Sequence, residues 1–175
     1  MRTVILASAA SIALLLLASP RPAAGAPRGP ATARERARAV STAHELETDP
    51  LSEHARNDRR WLTFLLVEAP DLHVDLCPEL LGGAPAERKR LPSEVVVQMM
   101  YSGAAFLLEH PAQAKAREEV YLAGLLGALR TYEAMLAKQP WIRSALLDGL
   151  LHEREAGDLP ARVAGAMAAC PERPR

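Results

Sequence analysis

The residue types that most often do chemistry meet most closely in His73-x-Asp75-x-Cys77. Imidazole, carboxylate and thiolate all bind zinc-like ions, and in an extended segment alternate side chains share one face. Such a trio still needs ligands from elsewhere, and no other residue stands at a known metal spacing. Exposed loop residues beside a structural cysteine account for the same pattern. No metal site is assigned; His73 and Asp75 are the residues that one would use.

The remaining histidines of the five, His44, His54, His110 and His152, form no pair at helical spacing. None has a glutamate three residues before it, so the Glu-x-x-His pattern of di-iron bundles is absent. Zinc, haem-attachment, Gly-x-Ser-x-Gly and phosphate-loop motifs are absent too. Glu109-His110 and His152-Glu153 invite acid–base chemistry. A histidine near a helix end is, however, commonly there because its cationic form suits the dipole. Gln98, Ser102 and Glu109 fall on one narrow helical stripe, which could line a cleft between helices; a solvated edge is the favoured expectation. No catalytic residue and no cofactor is assigned.

Cys77 and Cys170 are the only cysteines. Without a Cys-x-x-Cys motif, an even count in an exported chain reads first as a disulfide. It would close a loop of over ninety residues, worth about 4 kcal/mol in the chain-entropy model. The start of the chain supplies the export expectation. Met1-Arg2-Thr3 is a short basic opening, Val4 to Ala18 is small and apolar, and Ser19 to Ala26 is rich in small residues. That order makes residues 1–25 a bacterial-type secretory signal peptide, cleaved after Gly25 or after Ala26, the first preferred because Pro27 would follow the second, and directs the chain to a periplasm or beyond the cell. The apolar run is short for a membrane span, so none is expected to persist after cleavage. Without Arg2 and Arg21, the 21 basic residues fall to 19 against 21 acidic ones. A chain this neutral lacks the basic excess that nucleic-acid binding uses.

These residues are positioned by helices. The chain is 49% hydrophobic but only 4% aromatic, so its core must be leucine and alanine, both strong helix formers. Residues 26–30 are rich in proline and glycine and 31–48 alternate alanine with charge, so 26–48 is expected to be a poorly packed N-terminal segment. From residue 49 to 175 the sequence predicts one helical-bundle domain. Helices are expected over Pro50–Ala69, Ser93–His110, Ala112–Lys138, Trp141–Glu155 and Leu159–Cys170, with an irregular stretch from Pro70 to Pro92. Ser93–His110 is apolar nearly all round, which marks the buried centre of a bundle. Gly124 and Gly127 weaken the next helix by up to about 1 kcal/mol each, unless another backbone packs closely there. The fold class is all-α: a single-domain bundle of five or six helices around Ser93–His110.

The expected function is non-catalytic binding of a protein or small-molecule partner, with no nucleic acid. One alternative is a small hydrolase or metal-dependent enzyme using the Pro70–Pro92 loop, which requires His73 and Asp75 to converge with Glu109 or His110. Another is a carrier of an apolar small molecule in the Val95–Leu108 interior, which requires a cavity of roughly several hundred Å³.

Overall fold

The structure, a computed structural model, describes residues 28–113 and 116–170. The proposed signal segment 1–25 lies outside the described residues. Helix α1 (Ala33–Thr48) begins at a capping box. The Thr32 hydroxyl accepts the Glu35 amide at 3.2 Å, and the Glu35 carboxylate accepts the Thr32 amide at 2.8 Å. Asp71 accepts the Ala31 amide and pairs with Arg36, which fixes the start of α1 to the segment after the second helix.

The expectation of a poorly packed 26–48 segment fails over α1. Large apolar residues are few in it, but alanine stripes pack by close approach. Ala39 and Ala43 are 2% and 0% exposed, and α1 lies against both central helices.

Helix α2 (Ala55–Glu68) starts five residues later than Pro50, because Asp49 closes α1 by donating its amide to the Glu45 carbonyl. Leu62, Leu65 and Leu66 are buried, while Phe64 and Val67 on the other face are exposed. The stretch that follows is irregular. It contains a 3-10 turn over Pro78–Leu81, two positive-φ glycines (Gly82 and Gly83), and α3 (Pro85–Arg88), a single turn.

Helices α4 (Ser93–Glu109) and α5 (Arg117–Lys138) form the centre. Pro92, rather than Ser93, occupies the N-cap of α4. A 3-10 turn over Pro111–Gln113 precedes α5, which therefore begins after the expected Ala112. Gly103 faces Val120 and Met99 faces Gly124, so the two helices run antiparallel. A β-carbon at Gly124 would lie 2.6 Å from the Met99 carbonyl oxygen, and one at Gly127 would lie 1.9 Å from Ser102 Oγ. The two glycines thus admit the partner helix, as their position required.

Helices α6 (Ala145–Ala156) and α7 (Leu159–Ala166) close the other side. Trp141 stands before α6 in a 3-10 turn and is 77% exposed. The buried Tyr132 hydroxyl accepts the Ser144 amide at 2.9 Å and donates to Asp148 at 2.8 Å, joining α5 to the start of α6. Cys77 and Cys170 are buried and lie at disulfide distance, with Cα atoms 5.3 Å apart. Among the described residues there is no strand, and six helices have eight residues or more. None of them is long and apolar enough to cross a membrane.

Candidate functional site

The segment singled out for metal chemistry does not assemble. Cys77 is buried, whereas His73 and Asp75 are exposed, so the three do not share one face. Asp75 lines a crevice of about 10 Å³. Glu109 faces a different space, and neither His73 nor Asp75 lines it. His110 is exposed at the end of α4, its ring 4.7 Å from that of Phe106. His152 is exposed near Glu155. Among the described residues, one trio brings potential ligand atoms within 4.8 Å of one another: Cys77, Glu79 and Cys170. Two of its three sulfur or oxygen donors are the disulfide-spaced pair, and paired sulfurs lack the thiolate that binds metal.

The Gln98–Ser102–Glu109 stripe is not a solvated edge. Gln98 and Ser102 are 1% and 4% exposed, because α1 lies over them. Polar groups so placed must be hydrogen-bonded, and they are. The Gln98 amide nitrogen donates to the Ala43 carbonyl at 2.9 Å and to Ser102 Oγ at 3.1 Å. Ser102 Oγ in turn donates to Glu47 Oε1 at 2.6 Å. Arg130 Nε reaches the other oxygen of Glu47 at 2.8 Å. Three helices are thereby joined through one carboxylate that is itself only 4% exposed.

A cleft of about 420 Å³ opens beside this network, between α1, α4 and α5. Its apolar wall is Phe106, Leu122, Ala123 and Leu126; His44, Glu47, Glu109, Glu119 and Arg130 supply charge. His44 bridges two of these helices. Its Nε2 lies 3.0 Å from Glu109 Oε1 on α4, and its Nδ1 lies 3.5 Å from Glu47 Oε2 on its own helix.

The electrostatics follow from these contacts. Burial pushes the Glu47 carboxyl up, but hydrogen bonds from Arg130 and Ser102, with the charges of Arg130 and His44, outweigh it. Glu47 is held below the usual carboxylate range. The hydrogen bond to Glu109 raises His44 above the ordinary imidazole value; partial burial opposes it, and the charges of Glu109 and Glu47 reinforce it.

The hydrogen-bond directions limit what Ser102 can do. A serine nucleophile needs a base able to take its proton. The Ser102 proton points at Glu47, an ion-paired carboxylate with little appetite for protons, rather than at His44. The cleft beside it combines apolar and charged lining.

Sequence reasoning missed His44, Glu47 and Arg130. A signal for one of them existed: Ala39, Ala43 and Glu47 stand at i, i+4 and i+8, so Glu47 shares the face of the buried alanines. No family model, curated protein or solved structure matches the chain, so the site rests on its own residues.

Proposed function

We propose that this is an exported, non-catalytic binding protein whose α1/α4/α5 cleft takes a small molecule with an apolar body and a polar head. The observation that carries the reading is the cleft itself: about 420 Å³, with apolar Phe106, Leu122, Ala123 and Leu126 beside His44, Glu109 and Arg130. That volume lies within the usual range for ligand sites, roughly 300–1,000 Å³. The space lies on the surface beside α4, which favours a ligand with a polar end over a wholly apolar cargo. Export is supported by the disulfide-spaced cysteines together with the order of residues at the start of the chain.

The test is a native mass of the full-length gene product, purified without refolding, beside an Ala123→Trp variant that fills the cleft. An organic adduct on the wild type that the variant lacks, on a polypeptide beginning at Ala26, is the expected result. A bare wild-type chain, with no chemical-shift change at the cleft in a fragment screen, overturns the binding reading.

A second reading, docking of a protein partner, is favoured by Trp141. It is exposed and lines a groove of about 620 Å³ together with Leu91, Pro92 and Leu146. Here the native mass would show a second polypeptide, released by Trp141→Ala.

A further inference from the structure

The charges around the α1/α4/α5 cleft do not balance. Glu47 is matched by Arg130 at 2.8 Å, and Glu109 by His44 at 3.0 Å. Glu119, exposed at the mouth, has neither an ion pair nor a hydrogen-bond partner among the described residues. The lining therefore carries one uncompensated negative charge when His44 is protonated and two when it is neutral. An anionic head group would add to that excess and a neutral one would leave it standing; a cation relieves it. Leu122, Ala123, Leu126 and Phe106, which line the same cleft, require an apolar body on the same molecule.

Resting on the reading of the cleft as a small-molecule site, we propose that its ligand is an organic cation, an ammonium on an apolar body, and that the ammonium displaces the His44 imidazole from Glu109. The geometry allows the exchange. The His44 side chain is 48% exposed, so it can swing into water, and the Glu109 carboxylate is 37% exposed, so it is reachable from the cleft. Glu47 cannot serve as the counter-ion, because it is buried and already held by Arg130 and Ser102.

The exchange couples binding to protons. His44 faces Glu47 on its own helix and Glu109 on α4, and Glu119 and Arg130 of α5 border the same cleft. In the ligand-free cleft, the contact with Glu109 favours protonated His44. A cation that takes Glu109 removes that partner and brings a like charge close, so His44 releases its proton. Affinity must therefore rise with pH until His44 is neutral in the free protein, and stay level above that.

Calorimetric titration of the full chain with three matched probes, at pH 5.5 and pH 8, tests this. The probes are 2-phenylethylammonium, 2-phenylethanol and 3-phenylpropionate. The ammonium should bind tightest, by roughly fivefold, the upper limit for a half-exposed ion pair. It should release protons on binding and bind more tightly at pH 8. His44→Gln should remove the proton release and the pH dependence, with affinity at pH 5.5 rising to the level at pH 8. Glu109→Gln should cost the ammonium its advantage over the alcohol. Equal binding of all three probes, or preference for the carboxylate, overturns the ligand class and leaves the cleft reading standing. A pH profile unchanged in His44→Gln overturns the displacement. If no probe binds either the wild type or the variants, both the class and the cleft reading fall.

Discussion

Gly127→Ala is the substitution on which the packing argument depends most. In a helix this change ordinarily stabilises by about 1 kcal/mol, since alanine loses less backbone freedom. At Gly127 the new β-carbon would sit 1.9 Å from Ser102 Oγ, 2.4 Å from Ser102 Cβ and 2.5 Å from Glu47 Oε1. Two of these neighbours belong to a short side chain on a packed helix, so α4 and α5 must separate. Overpacking of this kind costs about 1–3 kcal/mol. Displacing Ser102 also leaves a buried hydroxyl and carboxylate without their mutual hydrogen bond, at about 1–3 kcal/mol. After subtracting the propensity gain, the net loss is about 1–5 kcal/mol, read as a lower urea midpoint at unchanged slope.

Gly149→Ala in α6 is the internal control. Nothing lies within 4 Å of its β-position, so it should stabilise by about 1 kcal/mol. Ser102→Gly vacates the space that Gly127→Ala invades, so the double variant should lose less than the sum of the two single losses by more than about 1 kcal/mol. A Gly127→Ala protein as stable as the wild type, with the same slope, would refute the close approach of α4 and α5.

Two further outcomes are expected. Replacing Cys77 and Cys170 together by serine should lower stability by about 4–5 kcal/mol for the 93-residue separation, measured by urea unfolding with and without reductant; a loss below about 1 kcal/mol would show that the pair does not constrain the unfolded chain. The His44–Glu109 contact should stabilise the fold in a pH-dependent way, because His44 is raised in the folded protein. Its contribution is complete below the unfolded imidazole value and vanishes as pH rises through the raised folded value. Both side chains are partly exposed, so the wild type should exceed His44→Gln by up to about 1 kcal/mol at pH 5.5. By pH 8.5 that part of the gap should have closed, and a gap independent of pH would exclude the ion pair as its source.

The fold was legible where the sequence repeats one face. Ser93–His110 ends within a residue of its expected limits, since an all-round apolar run bounded by two prolines leaves little freedom. Gly124 and Gly127 announced a close neighbour because nothing else justifies two glycines in mid-helix. The boundary at Pro50 differs from the expected one because Asp49-Pro50 suits a helix start and a helix stop equally well, and only the Glu45 carbonyl decides between them. The site was less legible. His44, Glu47, Ser102 and Arg130 come from three helices, and local spacing does not encode which helices touch. Gln98 and Ser102 look solvated in a list of residues because the helix that buries them is the alanine-rich one discounted as too weak to dock.

That alanine-rich packing sets how each half of the molecule tolerates change. The cluster built on α1, α2 and one face of α4 has 13 buried residues, of which seven are alanine: Ala31, Ala39, Ala43, Ala55, Ala69, Ala104 and Ala105. The cluster around α5, α6 and α7 has 17, of which only Ala128 is alanine. A leucine site admits methionine or isoleucine with modest repacking, because long side chains can rearrange. At an alanine buried between two backbones, any added carbon presses on a main chain that cannot yield. Related sequences, as they diverge, should therefore drift freely among large apolar residues in the half that holds the cysteine pair. In the half that forms the cleft's α1 wall they should alternate only among alanine, glycine and serine. The same small residues that made this segment look dispensable leave it the least room to vary.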